Sequence, residues 1–302
     1  MTSFYVNGKA VPMNIKTLGI IAKTKNEAVI KTVNTLYDFL IKKSYTVMLD
    51  QSATELGIDS NAIITDRNTL GKECDLAIVV GGDGTFLSAV RSLADFNIPI
   101  MGINLGRLGF LVDISPDNMQ QHLEQILAGN FVEEQRILLQ AQVIRDNKII
   151  SEAVALNDVV VHIRDVARMI EFKTLINDQF VNHQRADGLV VSTPTGSTAY
   201  SLSSGGPLLH ANLDAIVLVP ICPHTLSNRP IVVNADSKVE VIIGDGRQTT
   251  AQVTFDGQTT FDVKPGDKIC IQRKQKKVCL IHPSNYDYYE ILRAKLRWSE
   301  QL

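Results

Sequence analysis

The chain has 302 residues, 45% of them hydrophobic and 21% charged, which suits about two domains of roughly 150 residues, each able to bury a core. Its formal net charge of −2 lacks the electrostatic footprint of a protein that binds a nucleic-acid backbone or an anionic membrane. No apolar run approaches the roughly 20 residues that span a bilayer, residues 1–20 form no signal-peptide h-region, and Cys74, Cys222, Cys270 and Cys279 are too dispersed for a disulfide framework or zinc site, so the expectation is a cytoplasmic protein with reduced, mostly buried thiols.

In chain order, residues 16–22 form a short apolar run, read as a buried strand. Residues 26–42 carry Ala28, Val29, Val33, Leu36, Phe39 and Leu40 at helical spacing. A second strand follows at 46–49. Residues 75–80 are continuously apolar after Asp75, as in a parallel strand buried on both faces. They run into a glycine turn and a helix at 86–96. Another strand, 98–103, ends in a second glycine loop at 102–109, and a helix at 117–127 closes this half. Strands alternating with helices predict an α/β domain with a parallel sheet.

The texture changes near Gly129. Strands are predicted at 138–145, 153–162, 170–176, 188–192, 216–219, 238–243, 252–255, 259–263, 268–273 and 277–282. Turn signals separate many of them: Asn147-Lys148, Asp245-Gly246, Asp256-Gly257 and Pro265-Gly266-Asp267. This is the pattern of an all-β, sandwich-like domain. Helix returns at 288–298.

Chemistry concentrates first in Gly81-Gly82-Asp83-Gly84-Thr85. The turn follows a buried parallel strand and precedes a helix, the crevice where open α/β sheets bind ligands. Adjacent glycines let a phosphate approach the backbone, and the helix N-terminus favours negative charge. A carboxylate there is costly unless it holds a metal ion or accepts a proton, and both jobs belong to phosphoryl transfer. A plain turn with a solvated aspartate is the alternative. The chain has no G-K-[ST] of a P-loop, and Leu87 stands where a Rossmann fingerprint needs its third glycine. A second loop, Asn104-Leu105-Gly106-Arg107-Leu108-Gly109-Phe110-Leu111, follows the next strand, and its Arg107 could meet a phosphate; a structural glycine turn accounts for it equally well.

The third segment, residues 187–202, is a strand running into a loop dense with hydroxyls, carrying Tyr200 as its one aromatic. Such a loop suits a polyhydroxylated, anionic ligand. It has no G-x-S-x-G elbow. A flexible Ser/Gly linker is the alternative, which Pro194 and the apolar strand leading in disfavour.

Together, residues 81–85 and 104–111, Asn157-Asp158, residues 185–203 and the run Pro223-His224-Thr225-Leu226-Ser227-Asn228-Arg229-Pro230 resemble the NAD kinase family, in order and over most of the chain. The block 193–202 is the most specific part; diacylglycerol kinases and phosphofructokinases carry relatives of the glycine turn alone. The resemblance implies a Rossmann-like, diacylglycerol kinase/phosphofructokinase-like α/β domain at 1–128, a β-rich NAD-binding domain at 129–282, and a helical tail at 283–302 packing back on the first domain.

It also implies roles. Asp83 would accept the proton of the adenosine 2′-hydroxyl of NAD while ATP delivers its γ-phosphoryl group, with Mg²⁺ or a similar cation bridging the donor phosphates. Gly81, Gly82, Gly84, Thr85 and Arg107 would handle phosphate, and Gly84 would also line the NAD site. Asn157 and Asp158 would grip ribose hydroxyls; the family usually has Asn-Glu there, and Asp is one methylene shorter. Arg168, Arg185 and Asp187 would contact the dinucleotide, the last two sharing one face of a strand. Thr195, Ser197, Thr198, Ala199, Tyr200 and Ser203 would wrap its ends, and Gln258 is a further contact unless the Asp256-Gly257 hairpin explains it. No residue is identified as a metal ligand. The family assembles as homo-oligomers, a dimer or tetramer here. A lipid or sugar kinase, or a non-catalytic NAD(P) sensor, is the competing reading. The six histidines show no metal-ligand spacing, and residues 273–277 read as a solvated hairpin tip.

Overall fold

The structure, a computed structural model, describes residues 3–6, 9–12, 15–23, 26–56, 62–106, 109–164, 169–245 and 251–298. The chain forms two compact units. One comprises Met1–Gln135 with Val278–Leu302, the other Arg136–Lys277.

The first unit is built on a seven-stranded sheet in the order Ile63–Thr65, Thr46–Asp50, Thr17–Ala22, Leu76–Val80, Ile100–Ile103, Val278–Pro283, Phe131–Arg136. Neighbours from Ile63–Thr65 to Val278–Pro283 all pair parallel. Strand order reverses between Thr17–Ala22 and Leu76–Val80, so the turn at 81–85 leaves the sheet at its topological switch point. Every residue of Leu76–Val80 is buried, as its unbroken apolar sequence requires. The helix Glu27–Lys42 starts where the Asn26 side chain accepts the Ala28 N–H, and it buries Val29, Val33, Leu36 and Leu40 against the sheet.

The second unit is two six-stranded antiparallel sheets. One runs Lys148–Ala155, Leu139–Arg145, Lys268–Arg273, Val239–Ile243, Ile170–Ile176, Gln179–Ala186; the other runs Ile231–Asn234, Ala215–Ile221, Gly188–Ser192, Asp158–Ile163, Ala251–Phe255, Thr259–Val263. Alternate side chains from both, including Leu139, Ala141, Val159, Val161, Phe172, Val241, Val253, Phe255 and Ile269, form one buried core. The expected α/β domain with a parallel sheet and the all-β sandwich are both present.

Several boundaries differ from the sequence reading. The strand expected at 277–282 pairs with Ile100–Ile103 in the parallel sheet, so the second unit ends at Lys277 and not at 282. Its apolar pattern suits either sheet, and only pairing across about 180 residues separates the two. Residues 274–277 therefore connect the two units; they are not a hairpin tip, and Arg273 and Lys277 form ion pairs with Asp214. The first crossing lies at 135/136, later than the expected 128/129. The single strand expected at 153–162 is two, broken at Leu156 and Asn157. The turn expected at Asn147-Lys148 is formed by Asp146 and Asn147, both at positive φ. Of the turn expected at Asp245-Gly246, Gly246 lies outside the described residues. Cys74 is buried, Cys270 and Cys279 are partly buried, and Cys222 is exposed. No helix among the described residues is long and apolar enough to cross a membrane.

Candidate active site

In the first unit, chemistry centres on Asp83, the first residue of the helix Asp83–Leu93. The helix starts three residues earlier than its apolar periodicity suggested, because Gly82 is the N-cap and its carbonyl accepts the Thr85 and Phe86 N–H groups. Gly82 and Gly84 are exposed, while Asp83 and Thr85 are half-buried. The Asp83 carboxylate is held from the second glycine loop: the Phe110 N–H donates to Oδ2 at 3.1 Å and the Leu111 N–H to Oδ1 at 3.3 Å.

Gly109 makes that docking sterically feasible. A Cβ there would lie 2.2 Å from Asp83 Oδ1 and 3.0 Å from Cγ. The loop is tied down internally. The Asn104 N–H donates to the Ile114 carbonyl at 2.7 Å, Asn104 Nδ2 to the Val112 carbonyl at 3.3 Å, and the Gly109 N–H to the same carbonyl at 3.1 Å. Asn104 Oδ1 accepts the Gly106 N–H. Arg107 lies outside the described residues.

The second unit carries a cleft of about 360 Å³ lined by Asn157, Asp158, Val160, His162, Ala199, Tyr200, Thr254, Asp256 and Gly257. Asp256 builds it. Its carboxylate accepts N–H groups from Leu156 (3.1 Å), Asn157 (2.8 Å) and Asp158 (3.3 Å), fixing the break between two strands. Asn157 lines this cleft, and among the described residues its buried Oδ1 has no hydrogen-bond partner. Asp158 is buried, and burial, then the neighbouring charge of Asp256, pushes its carboxyl up to about 7. Tyr200 is exposed at the mouth.

Of the predicted contacts, the cleft gathers Asn157, Asp158, Ala199 and Tyr200. Thr195, Ser197, Thr198 and Ser203 do not line it, and the first three bond within the protein. Ser197 is fully buried; its Oγ donates to the Pro194 carbonyl and accepts the Leu209 N–H. Thr198 Oγ1 donates to the Thr195 carbonyl, and Thr195 Oγ1 accepts from the buried Arg136. Ser203 is exposed on the short helix Tyr200–Ser203. Arg185 is exposed on the strand Gln179–Ala186. Asp187 does not share its strand: it is the bend at which the chain passes from one sheet to the other, with its N–H bonded to the Ile221 carbonyl. Gln258 is exposed in the turn after Asp256. Arg168 lies outside the described residues.

Sequence reasoning missed Asp256 as an organiser, although its place beside Gly257 was noted as a turn. It also missed Gly196, where a Cβ would fall 2.1 Å from the Asn157 carbonyl oxygen. The signal available was a glycine inside a hydroxyl-rich loop after a buried strand, which marks a close backbone approach.

Known proteins resemble this chain along most of its length. Residues 18–131 match the model of the ATP-NAD kinase N-terminal domain and residues 156–283 that of the ATP-NAD kinase C-terminal domain. An NAD kinase from Nitrosococcus oceani is 50% identical over 287 residues, 95% of this chain and 98% of its own. One from Hahella chejuensis is 48% identical, with 94% and 96% covered. Among solved structures, yeast NADH kinase complexed with NADH shares the fold, with a TM-score of 0.90 at 21% identity over 100% of this chain and 93% of that one. An NAD kinase from Archaeoglobus fulgidus in complex with ATP gives a TM-score of 0.72 at 27% identity, covering 93% and 98%.

Proposed function

This chain belongs to the NAD kinase family, and we propose that it transfers the γ-phosphoryl group of ATP to the 2′-hydroxyl of the adenosine ribose of NAD, with Asp83 as the proton acceptor. The observation that carries the reading is the Asp83 carboxylate itself. It stands at a helix N-terminus on the switch point of a parallel sheet, oriented by two backbone N–H groups and set beside exposed glycines. Anionic phosphates are favoured at such a terminus. A carboxylate with a fixed orientation can receive the hydroxyl proton as the new O–P bond forms and the bond to the leaving diphosphate breaks.

The cleft of the second unit supports the acceptor. Asn157 Oδ1 and the Asp158 carboxyl offer two adjacent oxygens for sugar hydroxyls, and Tyr200 offers an aromatic face. These three residues hold and orient; Asp83 moves the proton. Ser197 and Thr198 act behind them by fixing the loop that presents Ala199 and Tyr200. Arg185, Asp187 and Gln258 serve as outer contacts to the dinucleotide.

Among the described residues no three His, Cys, Asp or Glu side chains are placed to hold a metal ion, and a cation bound chiefly through phosphate oxygens and water needs no such group. Such a Mg²⁺ would neutralise charge on the donor phosphates. The protein works in the cytoplasm as a homo-oligomer; Leu226, Ile231 and Val232, exposed on and beside the edge strand Ile231–Asn234, support such a contact.

A coupled assay for NADP from NAD, ATP and Mg²⁺ tests the reading. Asp83→Asn should lower kcat by roughly 10²–10⁴-fold with NAD binding largely kept; turnover near the wild-type rate would sink the acceptor role.

A further inference from the structure

A buried charge cluster lies in the first unit, outside the residues discussed above. His282, on the strand Val278–Pro283, is 2% exposed. Its Nδ1 is 2.9 Å from Asp113 Oδ2, and its Nε2 is 3.4 Å from Glu134 Oε2 on the neighbouring strand Phe131–Arg136. Both carboxylates are nearly buried, and the His282 ring stacks on Tyr286 with centroids 4.0 Å apart. Burial alone would pull the imidazole down, but the Asp113 hydrogen bond and the nearby carboxylates of Asp113 and Glu134 outweigh it and raise its pKa. The ring lies between two carboxylates, Nδ1 toward Asp113 and Nε2 toward Glu134.

Asp113 closes the glycine loop that holds Asp83. It stands two residues after Leu111 and three after Phe110, whose N–H groups orient the Asp83 carboxylate. It also lies between Val112 and Ile114, whose carbonyls anchor Asn104 and Gly109. Asp113 Oδ1 is buried without a partner, so among the described residues this carboxylate depends on His282 for its one hydrogen bond. The chain of contacts runs from the strand Val278–Pro283 through His282 and Asp113, then along two peptide units, to the oxygens of Asp83.

We propose that His282 and Asp113 are positioning residues for the phosphoryl transfer: the ion pair locks the loop at 109–114 so that its two N–H groups hold Asp83 in the orientation that receives the proton. The inference rests on the acceptor role assigned to Asp83 above. It explains why a buried charge pair, which contributes little net stability against an apolar replacement, is built into this position. The pair fixes the loop whose two N–H groups orient the Asp83 carboxylate, and small misplacements of catalytic groups are costly.

The test is kinetic, on the full chain. Asp113→Asn and His282→Gln keep shape and some hydrogen-bonding capacity while removing the ion pair, and circular dichroism with thermal unfolding identifies the variants folded at assay temperature. Either folded variant should lose about tenfold in kcat with KM for NAD and for ATP within about twofold, because the loop is displaced and not the binding cleft. Asp113→Asn is then combined with Asp83→Asn. With Asp83 already disabled, removing its support should cost less than twofold more. Unchanged kcat in a folded variant, a parallel rise in KM, or the same tenfold loss in the Asp83→Asn background would overturn the positioning role. Near-wild-type turnover by Asp83→Asn alone is a separate result that refutes the acceptor reading first. Should His282→Gln fail to fold, Asp113→Asn carries the whole cycle, since Asn can still accept the His282 N–H.

Discussion

Asp158→Asn isolates the electrostatics of the second unit's cleft. Asp158 is 4% exposed, and its carboxyl is pushed from 3.8 up to about 7, first by burial and then by Asp256. The folded state therefore holds this proton more tightly than the unfolded chain does. The contribution to stability is full below the unfolded value near 4 and is lost as pH rises through the folded value near 7. Holding the carboxyl at about 7 instead of 3.8 makes the ionised group cost about 4 kcal/mol once pH exceeds 7. At pH 5 most of that cost is absent, because the folded protein keeps the proton. Asparagine has nearly the same shape and never ionises. The stability of Asp158→Asn relative to wild type should rise by about 2–3 kcal/mol between pH 5 and pH 8. Urea unfolding of both proteins at the two pH values measures this, and comparing their difference removes every other titrating group. A difference that stays constant within about 0.5 kcal/mol would show that Asp158 is not a buried, proton-retaining carboxyl and would refute the reasoning.

Gly109→Ala should keep the fold yet lower kcat at least tenfold in the NADP assay, because the added Cβ would lie 2.2 Å from Asp83 Oδ1 and displace the carboxylate. Gly196→Ala meets rigid backbone, with Cβ 2.1 Å from the Asn157 oxygen and 2.4 Å from its carbon; calorimetry should show a loss of about 3 kcal/mol or more. Asp267 is 2% exposed and grips Arg145 through two hydrogen bonds of 2.9 and 2.7 Å as well as the Lys264 N–H. Burial pushes its pKa up, but these partners outweigh it and lower it overall, so its stabilisation is present above about pH 4 and lost as pH falls through the folded value. Asp267→Asn should cost about 3 kcal/mol at pH 7 by urea unfolding and less at pH 3.

The sequence by itself determined what local patterning can. A short continuous apolar run bounded by turn signals, such as residues 76–80, suits a strand buried on both faces. The stripe Val29, Val33, Leu36, Leu40 can only be one side of a helix, and Asp256-Gly257 is a turn wherever it stands. The glycine turn at 81–85, too, was legible as the passage from a buried parallel strand into a helix. What tertiary structure decided is whatever depends on partners distant in the chain. A strand's pattern carries its period but not its neighbour, so 277–282 reads as one more sandwich strand until Leu280 pairs with Ile100. A serine carries hydroxyl chemistry but not its direction, so Ser197 reads as a ligand contact until it turns inward to Leu209. Asp113, Glu134 and His282 are ordinary polar residues in sequence. They become a cluster only because two strands separated by more than 140 residues lie side by side, and because burial makes each of them depend on the others.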